Sequence, residues 1–510
     1  MREEVKKITD EEVELPLLLG VPHGFARGNL VMPLKRTDGE LLAAVADEKG
    51  LLALLELSKE MSLKPRPLWG SPDLVLEAIN RYYGQLGSAK EVMEDIREEE
   101  LSSVATEFER PRDILGLTEE APIIRLLNAL LRQGVKERAS DIHIEPFEKE
   151  LEVRLRVDGI LRKVLMPPKI IQDALISRIK IMANLDIAER RLPQDGRIRL
   201  LLGGKDIDIR VSLIPTIHGE RAVLRLLHRK GGLIGLDGLG MEPDTKALFE
   251  EMLLRSNGII LVTGPTGSGK TTTLYAALNR IHTEEKNIIT IEDPVEYELK
   301  GIGQIQINPR IGLTFASGLR SIVRQDPDVI MVGEIRDLET AQIAIQASLT
   351  GHLVLSTLHT NDSASALTRL IDIGVEPFLV ASSLIGVLAQ RLIRLNCPHC
   401  GAAYEPNGSE AVFSDEERKK IKKLMRGTGC EKCGQTGYLG RAGIFELLPI
   451  IPDIRRLITG RADARNIKEV AVAMGMRTLR EDGLFKVARG HTTPEEILRV
   501  SQKEHAELQI

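Results

Sequence analysis

The sequence is poor in aromatic residues and carries little net charge. Phe, Trp and Tyr make up 3% of its 510 residues, and Trp69 is the single tryptophan, so few rings are available to stack on unpaired bases. The formal net charge of −5 gives the chain no overall attraction for a polyanion. The composition as a whole therefore argues against direct binding of nucleic acid.

Long apolar runs are also missing. No stretch approaches the ~18 consecutive apolar residues that identify a membrane-spanning helix. The beginning of the chain, MREEVKKITDEEVELPLLLG, interleaves acidic with basic side chains, which fits neither a secretory signal nor a transit peptide. We therefore expect a cytoplasmic protein without a transmembrane segment, attached to a membrane only peripherally and through a partner.

Cysteine is scarce and confined to one part of the chain. The four cysteines form two C-x₂-C pairs, Cys397 with Cys400 and Cys430 with Cys433, separated by residues 401–429. Four thiolates fill the tetrahedral shell of a structural zinc ion and leave no position for a catalytic water. Disulfides are disfavoured in the cytoplasm, and a redox motif needs only one pair. The pattern therefore predicts a structural Zn²⁺ site.

The length predicts about three domains. Residues 1–87, where Pro and Gly interrupt short apolar segments, form a small domain without catalytic motifs, and the charge-rich residues 88–113 form a linker. An α+β domain is expected at 114–232. A large α/β domain is expected at 233–510, with the cysteine module at 395–440 and helices at the end of the chain.

The expected α+β domain shows two clear periodicities. PIIRLLNALLRQ places five apolar residues on one helical face, namely Ile123, Leu126, Leu127, Leu130 and Leu131. LEVRLRVDG alternates apolar with charged side chains, as a half-buried strand does before an Asp-Gly turn. KDIDIRVSLI and GERAVLRLL predict further strands. Together they indicate an antiparallel sheet with helices.

The last domain opens with a phosphate-binding loop. GPTGSGKT follows the apolar strand IILVT and precedes a helical segment, which is the context that this motif requires. Its backbone N–H groups surround phosphate, Lys270 neutralises the β- and γ-phosphate oxygens, and the Thr271 hydroxyl binds Mg²⁺. The sequence thus predicts a RecA-like P-loop fold that binds ATP and Mg²⁺. The nucleotide-binding residues are Gly264, Pro265, Thr266, Gly267, Ser268, Gly269, Lys270, Thr271 and Thr272.

Acidic residues and histidines accompany the apolar strands of this domain. IITIEDPVEY places Glu292, Asp293 and Glu296 after one strand, and DVIMVGE ends in Glu334, where a Walker B acid stands. These are the candidate metal-holding and water-activating groups. HLVLST is flanked by two histidines, which we expect at the same sheet edge, near the γ-phosphate or a subunit contact. They are His352 and His359.

Four arginines are candidates to stabilise the transferring phosphate. Arg320 and Arg324 lie one helical turn apart before the Walker B strand, and Arg210 and Arg225 stand in the preceding domain. An arginine supplied by a neighbouring subunit can accelerate hydrolysis by ~10³- to 10⁵-fold. The sequence leaves open which of the four reaches the phosphate.

These segments together resemble the secretion ATPase superfamily of bacterial type II secretion and type IV pilus assembly. GPTGSGKTT is similar to its Walker A box, ITIEDPVEY to its aspartate box, SGLRSIVRQDPDVIMVGEIRD to its Walker B region and TGHLVLSTLHTND to its histidine box. ASDIHIEP, RLRVDG and RLPQDGRI match in the preceding domain. The resemblance runs from about residue 121 to the end. IHGERAVLRLL, GVEPFLVASSLIGVLAQRLIR and CPHC are most similar to the type II secretion branch, whereas LLHRK departs at His228, where an acid is expected.

The resemblance implies a homo-hexamer with nucleotide sites between the α+β domain and the P-loop domain. It implies that Glu296 is the general base, that Glu334 supports the metal, and that Arg210 and Arg225 contact phosphate. Assembly ATPases of this family carry the zinc module and retraction motors lack it, which favours assembly. The implied partners are the cytoplasmic domain of an inner-membrane secretion protein, docked through residues 1–113, and an inner-membrane platform protein.

Several functions remain open at this stage. The favoured hypothesis is a motor whose ATP hydrolysis drives protein export and pseudopilus assembly, and a pilus extension motor shares every motif named. A DNA-transport ATPase would bind DNA with a steep salt dependence, which the acidic balance disfavours. A nucleotide-gated scaffold without hydrolysis is disfavoured by the presence of Lys270, Glu296 and Glu334.

Overall fold

The computed structural model describes residues 5, 8–9, 12–18, 20–21, 23–37, 39–83, 93, 122–202, 205–228, 234–405 and 424–501. The chain divides into two compact units, Met1–Gly231 and Gly232–Ile510. The predicted linker at 88–113 lies outside the described residues except for Met93. The finer division of the first unit, at 87 and 114, stays a prediction.

The first unit begins with a small mixed sheet covered by helices. Its order is β1-β2-β3, with β1 and β2 antiparallel and β2 and β3 parallel, so that α3 is the crossover between the parallel strands. Asp47 caps α3 by accepting a hydrogen bond from the Gly50 N–H at 2.8 Å. The elements are α1 Leu15–Leu18, α2 His23–Gly28, β1 Val31–Thr37, β2 Glu40–Val45, α3 Glu48–Glu60, β3 Lys64–Trp69 and α4 Pro72–Tyr83.

The rest of the first unit is an antiparallel sheet of six strands in the order β6-β5-β4-β9-β8-β7. The elements are α5 Pro122–Lys136, β4 Asp141–Pro146, β5 Leu151–Val157, β6 Ile160–Leu165, α6 Gln172–Met182, β7 Gln194–Leu202, β8 Lys205–Thr216 and β9 Gly219–His228. The periodicities predict this region well. All five apolar residues predicted for one face of α5 are buried, and burial alternates strictly along β5.

The second unit contains a seven-stranded sheet in the order β12-β11-β13-β14-β10-β15-β18. The first six of these strands are parallel, and β10, β13 and β14 are buried along their whole length, as their continuous apolar runs predict. Its elements to residue 383 are α7 Pro243–Leu253, β10 Gly258–Thr263, α8 Lys270–Ile281, β11 Ile288–Glu292, β12 Gly303–Gln306, α9 Phe315–Ile322, β13 Val329–Val332, α10 Leu338–Leu349, β14 Leu353–Leu358, α11 Ser363–Asp372 and α12 Pro377–Ser383.

The end of the chain adds two long strands and a group of helices. β15 and β18 pair in antiparallel fashion from Gly386 opposite Pro449 to Asn396 opposite Tyr438, and the cysteine segment is inserted between them. The helices predicted after residue 450 are present. The remaining elements are β15 Leu384–Asn396, β16 Gly401–Tyr404, β17 Leu424–Gly427, β18 Tyr438–Pro449, α13 Pro452–Thr459, α14 Ala464–Ala473, α15 Leu479–Ala488 and α16 Pro494–Ser501.

Across the described ranges, none of the helices combines the length and the apolar character that crossing a bilayer requires.

Candidate functional site

The loop between β10 and α8 has the conformation that phosphate binding requires. Gly264 and Gly269 have φ values of 150° and 89°, a region that favours glycine, and a Cβ at Gly264 would lie 2.4 Å from the Gln390 carbonyl oxygen. The Lys270 ammonium donates to the carbonyl oxygens of Gly264 at 2.8 Å and Pro265 at 3.2 Å. The loop is therefore closed around its lysine at the start of α8.

Three successive threonines follow Lys270 and divide between solvent and core. Thr271 and Thr272 are exposed, whereas Thr273 is buried and its hydroxyl donates to the Gln390 Oε1 atom at 2.6 Å. Thr271 is thus available to a ligand of the loop, and Thr273 holds the first turn of α8 to β15.

Gln390 is a supporting residue of the loop that belongs to none of the nucleotide-binding motifs. It lies on β15 with 2% of its surface exposed, directly beneath the loop. The signal in the sequence is a lone amide within the apolar run LIGVLAQRLI. Because a buried amide needs hydrogen-bond partners, such a residue in a core strand indicates a polar neighbour above it.

The carboxyl ends of β10, β11, β13 and β14 meet at one edge of the sheet, because these strands are parallel. Glu334 follows β13 at this edge. Its carboxylate forms an ion pair with Arg336, and the His359 Nε2 atom lies 3.6 Å away. Burial lowers the pKa of Lys270, an effect that the nearby Glu334 charge opposes. The edge therefore combines Lys270, Glu334 and His359 in one site.

His359 follows β14, in surroundings that favour the uncharged form of its ring. Burial lowers the pKa of its imidazole, and the Lys270 ammonium lowers it further against the opposing charge of Glu334. A neutral imidazole can donate one hydrogen bond to a phosphate oxygen while it accepts another.

The expectation that His352 shares this edge with His359 is wrong. His352 precedes β14 and His359 follows it, so the two histidines lie at opposite ends of the strand, seven residues or about 22–24 Å apart. The His352 Nδ1 atom lies 2.8 Å from the Ala347 carbonyl oxygen, at the opposite edge of the sheet. The sequence could not show this because either end of a strand can carry a histidine.

The three acids that follow β11 occupy different environments. Asp293 is exposed and Glu296 is half-buried, whereas only 3% of Glu292 is exposed. Both Glu292 carboxylate oxygens accept hydrogen bonds from side chains, among them the Tyr275 hydroxyl at 2.5 Å. Glu292 is therefore enclosed by side-chain hydrogen-bond donors, whereas Asp293 faces solvent.

Arg320 and Arg324 are exposed at α9 in the second unit. Arg320 forms an ion pair with Glu339 in the first turn of α10, and Arg324 donates to the Arg320 carbonyl oxygen at 2.7 Å. Both guanidinium groups therefore have partners within the chain, and a role at a subunit contact stays a prediction.

Arg210 and Arg225 belong to a charged row across the six-stranded sheet of the first unit. They are directly opposite each other on β8 and β9, and the Arg225 Nε atom donates to the Asp141 Oδ1 atom at 2.9 Å. Directly opposed residues project from the same face of a sheet, so the row carries four guanidinium groups and one carboxylate. Its members from β5 to β7 are Arg156, Asp141, Arg225, Arg210 and Arg197.

The four cysteines form a compact cluster. Their sulfur atoms all lie within 4.8 Å of one another, with separations of 3.8 Å for Cys397 and Cys430, 3.8 Å for Cys400 and Cys433, and 3.7 Å for Cys430 and Cys433. A regular tetrahedron with Zn–S bonds of ~2.3 Å has an edge of about 3.8 Å. The cluster therefore fits a tetrahedral zinc ion.

Hydrogen bonds to sulfur prepare this cluster for a cation. The backbone N–H groups of Cys430 and Gly437 donate to the Cys433 Sγ atom at 3.2 and 3.3 Å. Burial raises the pKa of the Cys433 thiol, but these N–H groups and the neighbouring cysteines outweigh that effect and lower it to about 6. The module is fixed to the core because the Asn396 Nδ2 atom donates to the carbonyl oxygens of Met425 and Gly490.

Two family profiles match this chain. The family described as Type II/IV secretion system protein matches residues 116–499, and the MshEN domain matches residues 4–89. The first match covers the antiparallel sheet, the phosphate loop and the cysteine module together. It confirms the resemblance on which the sequence motifs converge.

Relatives match over most or all of their length. The chain is 52% identical over 424 residues to Type II secretion system ATPase E of Vibrio cholerae serotype O1, covering 83% of this chain and 84% of that protein. It is 47% identical over 507 residues to Type II secretion system protein E of Dickeya dadantii, covering 98% of this chain and 100% of that protein. The similarity therefore extends to the small N-terminal sheet.

The fold also has a solved counterpart. The structure of the Legionella pneumophila ATPase DotB superposes with a TM-score of 0.55 at 21% identity, covering 76% of this chain and 97% of DotB. At this identity the comparison supports the fold, which is the predicted P-loop α/β domain with a preceding α+β region.

The sulfur geometry predicts that each chain binds about one Zn²⁺ through its four thiolates. Elemental analysis of the purified full-length protein should find this stoichiometry, and Cys433→Ser should lose most of the zinc and lower the melting temperature. His399→Ala is the matched control, because His399 lies within the same C-x₂-C pair but outside the cluster, and it should retain the metal. Unchanged zinc content in Cys433→Ser would contradict the assignment.

Proposed function

This chain belongs to the family of type II/IV secretion system proteins, and we propose that its ATP hydrolysis powers protein export through a type II secretion system. The observation that carries the proposal is the phosphate loop beside an acidic sheet edge, in a chain that matches type II secretion relatives over almost its entire length. The proposed motor is a cytoplasmic homo-hexamer that assembles a pseudopilus.

The phosphate loop would hold ATP through its backbone N–H groups and the Lys270 ammonium. The exposed Thr271 hydroxyl, with Glu334 and Asp293 in support, would hold Mg²⁺, which neutralises developing charge on the phosphates when it is bound. Thr272 is exposed beside Thr271 and can contact the nucleotide. These roles use the residues that the fold brings to one edge of the sheet.

Glu296 is the proposed general base. It follows the buried strand β11, and its half-buried position allows its carboxylate to meet a water molecule at the γ-phosphate. His359 is the proposed sensor of the γ-phosphate, because its neutral ring lies beside Glu334 and can donate a hydrogen bond. His352 lies at the opposite edge of the sheet, and its role at a subunit contact stays a prediction.

Arginines outside the phosphate loop would supply the positive charge that stabilises the transition state of hydrolysis. We assign Arg210 and Arg225 to phosphate contacts, supported by their place in a row of four guanidinium groups. Arg320 and Arg324 are assigned to contacts between subunits of the hexamer. Rotation of the domain that carries the row, with each turnover, would convert phosphate contacts into movement.

Attachment to the membrane is assigned to residues 1–113. This segment contains the MshEN domain at 4–89, and its proposed partner is the cytoplasmic domain of an inner-membrane secretion protein. The motor would act on an inner-membrane platform protein, while Zn²⁺ at the four cysteines maintains the architecture of the second unit.

Lys270→Ala should abolish nucleotide binding. Removing a half-buried, hydrogen-bonded cation that faces phosphate costs about 2–5 kcal/mol, which corresponds to about 30-fold or more in affinity. The measurement is titration of the full-length protein with a fluorescent ATP analogue. Lys300→Ala, which changes an exposed lysine of the same unit, is the control and should bind normally. Normal affinity in Lys270→Ala would refute the phosphate-loop assignment.

Glu296→Gln should bind ATP but fail to cleave it. The amide keeps the shape of the side chain and removes the proton acceptor, so kcat should fall by ~10²- to 10⁴-fold. Steady-state phosphate release measures the loss, and Glu298→Gln, two residues along the same exposed segment, should turn over normally. If Glu296→Gln retains its rate, another group is the base.

The cellular role is tested by capture on native inner-membrane extract. The tagged full-length chain should retain a secretion protein with a cytoplasmic domain, identified by mass spectrometry, and a chain lacking residues 1–113 should lose it. Recovery of pilus platform proteins alone would assign the motor to pilus extension. Retention of DNA with a steep salt dependence would instead support a DNA-transport ATPase.

A further inference from the structure

We propose that Glu292 and Tyr275 are positioning residues that fix the segment carrying Glu296 against the helix of the phosphate loop. The inference rests on the proposed function, because it concerns how the general base is placed. It assigns Glu292 to a buried hydrogen-bond network and removes it from the candidate metal ligands.

Glu292 is the centre of this network. Its Oε2 atom accepts from the Tyr275 hydroxyl at 2.5 Å, and its Oε1 atom accepts from the Thr290 hydroxyl at 2.5 Å and the Gln304 Nε2 atom at 3.1 Å. A carboxylate that is 3% exposed needs such partners, since burying it unpaired would be costly. Three of the roughly four acceptor positions of this carboxylate are thus filled by side chains of the same unit, which favours a structural role for Glu292.

Tyr275 extends the network to the proposed base. Its ring is 2% exposed and belongs to α8, the helix that begins at Lys270. The hydroxyl donates to Glu292 and accepts from the Glu296 backbone N–H at 3.2 Å. One oxygen atom therefore joins the phosphate-loop helix to the residue that we assign as the base.

Gln304 links the Glu292 carboxylate to the residues that follow Glu296. Its Nε2 atom also donates to the Tyr297 carbonyl oxygen at 3.0 Å, and its Oε1 atom accepts from the Leu299 N–H at 2.6 Å. The Tyr297 ring packs edge-on against Tyr275 with centroids 6.2 Å apart. Glu296 and the residues that follow it are thus held by Tyr275 and Gln304, which both contact Glu292.

We expect this hydrogen-bond network to affect kcat more than the affinity for ATP. The Tyr275 hydroxyl touches neither the phosphate loop nor its lysine in the contacts of the described residues, so its removal should leave nucleotide affinity intact. A displacement of about 1 Å in a catalytic group can cost ~10²-fold in rate. Releasing the Glu296 backbone should therefore lower kcat selectively.

The first test is Tyr275→Phe, which removes one oxygen and keeps the ring. In the full-length protein kcat should fall by about tenfold or more, while KM and the affinity for a fluorescent ATP analogue stay within about twofold. Tyr438→Phe is the matched control, because the hydroxyl of this half-buried tyrosine forms a hydrogen bond with the Thr493 hydroxyl at 2.8 Å, at the start of β18. The control should lose a similar amount of stability and no kcat.

A double-mutant cycle shows whether Tyr275 acts through Glu296. In a Glu296→Gln background, Tyr275→Phe should cause no further loss of rate, because the group that it positions is already inactive. A full additional loss would overturn the proposal by assigning Tyr275 an independent effect on the reaction.

Glu292→Gln distinguishes a positioning role from a metal-binding role. It should lower kcat as Tyr275→Phe does, with the Mg²⁺ concentration for half-maximal activity unchanged. A rise in that concentration would make Glu292 a metal ligand and refute the inference. This variant also carries the test if Tyr275→Phe does not fold.

The outcome remains separate from that of the proposed function. An unmodified chain that binds but never hydrolyses ATP would refute the proposed function. An active chain in which both Tyr275→Phe and Glu292→Gln keep their kcat within about twofold would refute the positioning network alone.

Discussion

The close approach of the phosphate loop to β15 is the constraint on which the nucleotide site depends. β10 lies between β14 and β15, and the loop at its end passes so near to Gln390 that side chains at Gly264 and Gly269 would collide with it. The Gln390 Oε1 atom also accepts a hydrogen bond from the Thr273 hydroxyl. One buried residue therefore holds both the loop and the first turn of α8 in place. Once this register is set, the parallel strands on the other side of β10 place the acids and His359 by geometry alone, since their carboxyl ends share that edge.

The C-terminal strands and helices are also part of the site, although they carry none of the nucleotide motifs. Glu446 on β18 is fully buried and accepts from the Ser363 N–H at 3.0 Å and the Ser363 hydroxyl at 2.6 Å, at the end of the segment that carries His359. Burial raises the pKa of Glu446, and the Lys468 ammonium of α14, 3.6 Å away, opposes that shift. The helix α14 is thereby connected to the histidine segment through the Glu446 carboxylate.

The sequence predicts the helices, strands and local motifs better than it predicts the contacts between side chains. The buried strands and the phosphate loop follow from local pattern, and the spacing of the cysteines alone indicates a cluster that fits zinc. His352 shows the limit, because periodicity locates a strand without saying which of its ends faces the ligand. Glu292 and Gln390 show a second limit: the burial of a polar side chain depends on residues from distant segments, such as Gln304 and Thr273, that no local window contains. The subunit contacts proposed for Arg320 and Arg324 would need a second copy of the chain, which a single sequence does not describe.

The charged row of the first unit gives a physical reason for the arginines to meet an anion. Arg210 and Arg225 are direct cross-strand neighbours, and like charges in that arrangement destabilise a sheet by an amount on the order of 0.2–1 kcal/mol. Asp141 pairs with Arg225 and lies 3.6 Å from Arg156, so this carboxylate compensates two of the guanidinium groups in the row. If Arg210 and Arg225 contact phosphate as we propose, the bound anion would offset the repulsion between them, and its release would restore that repulsion. The row is therefore expected to hold ATP more strongly than ADP, which is the difference in affinity that a ligand-driven domain movement requires.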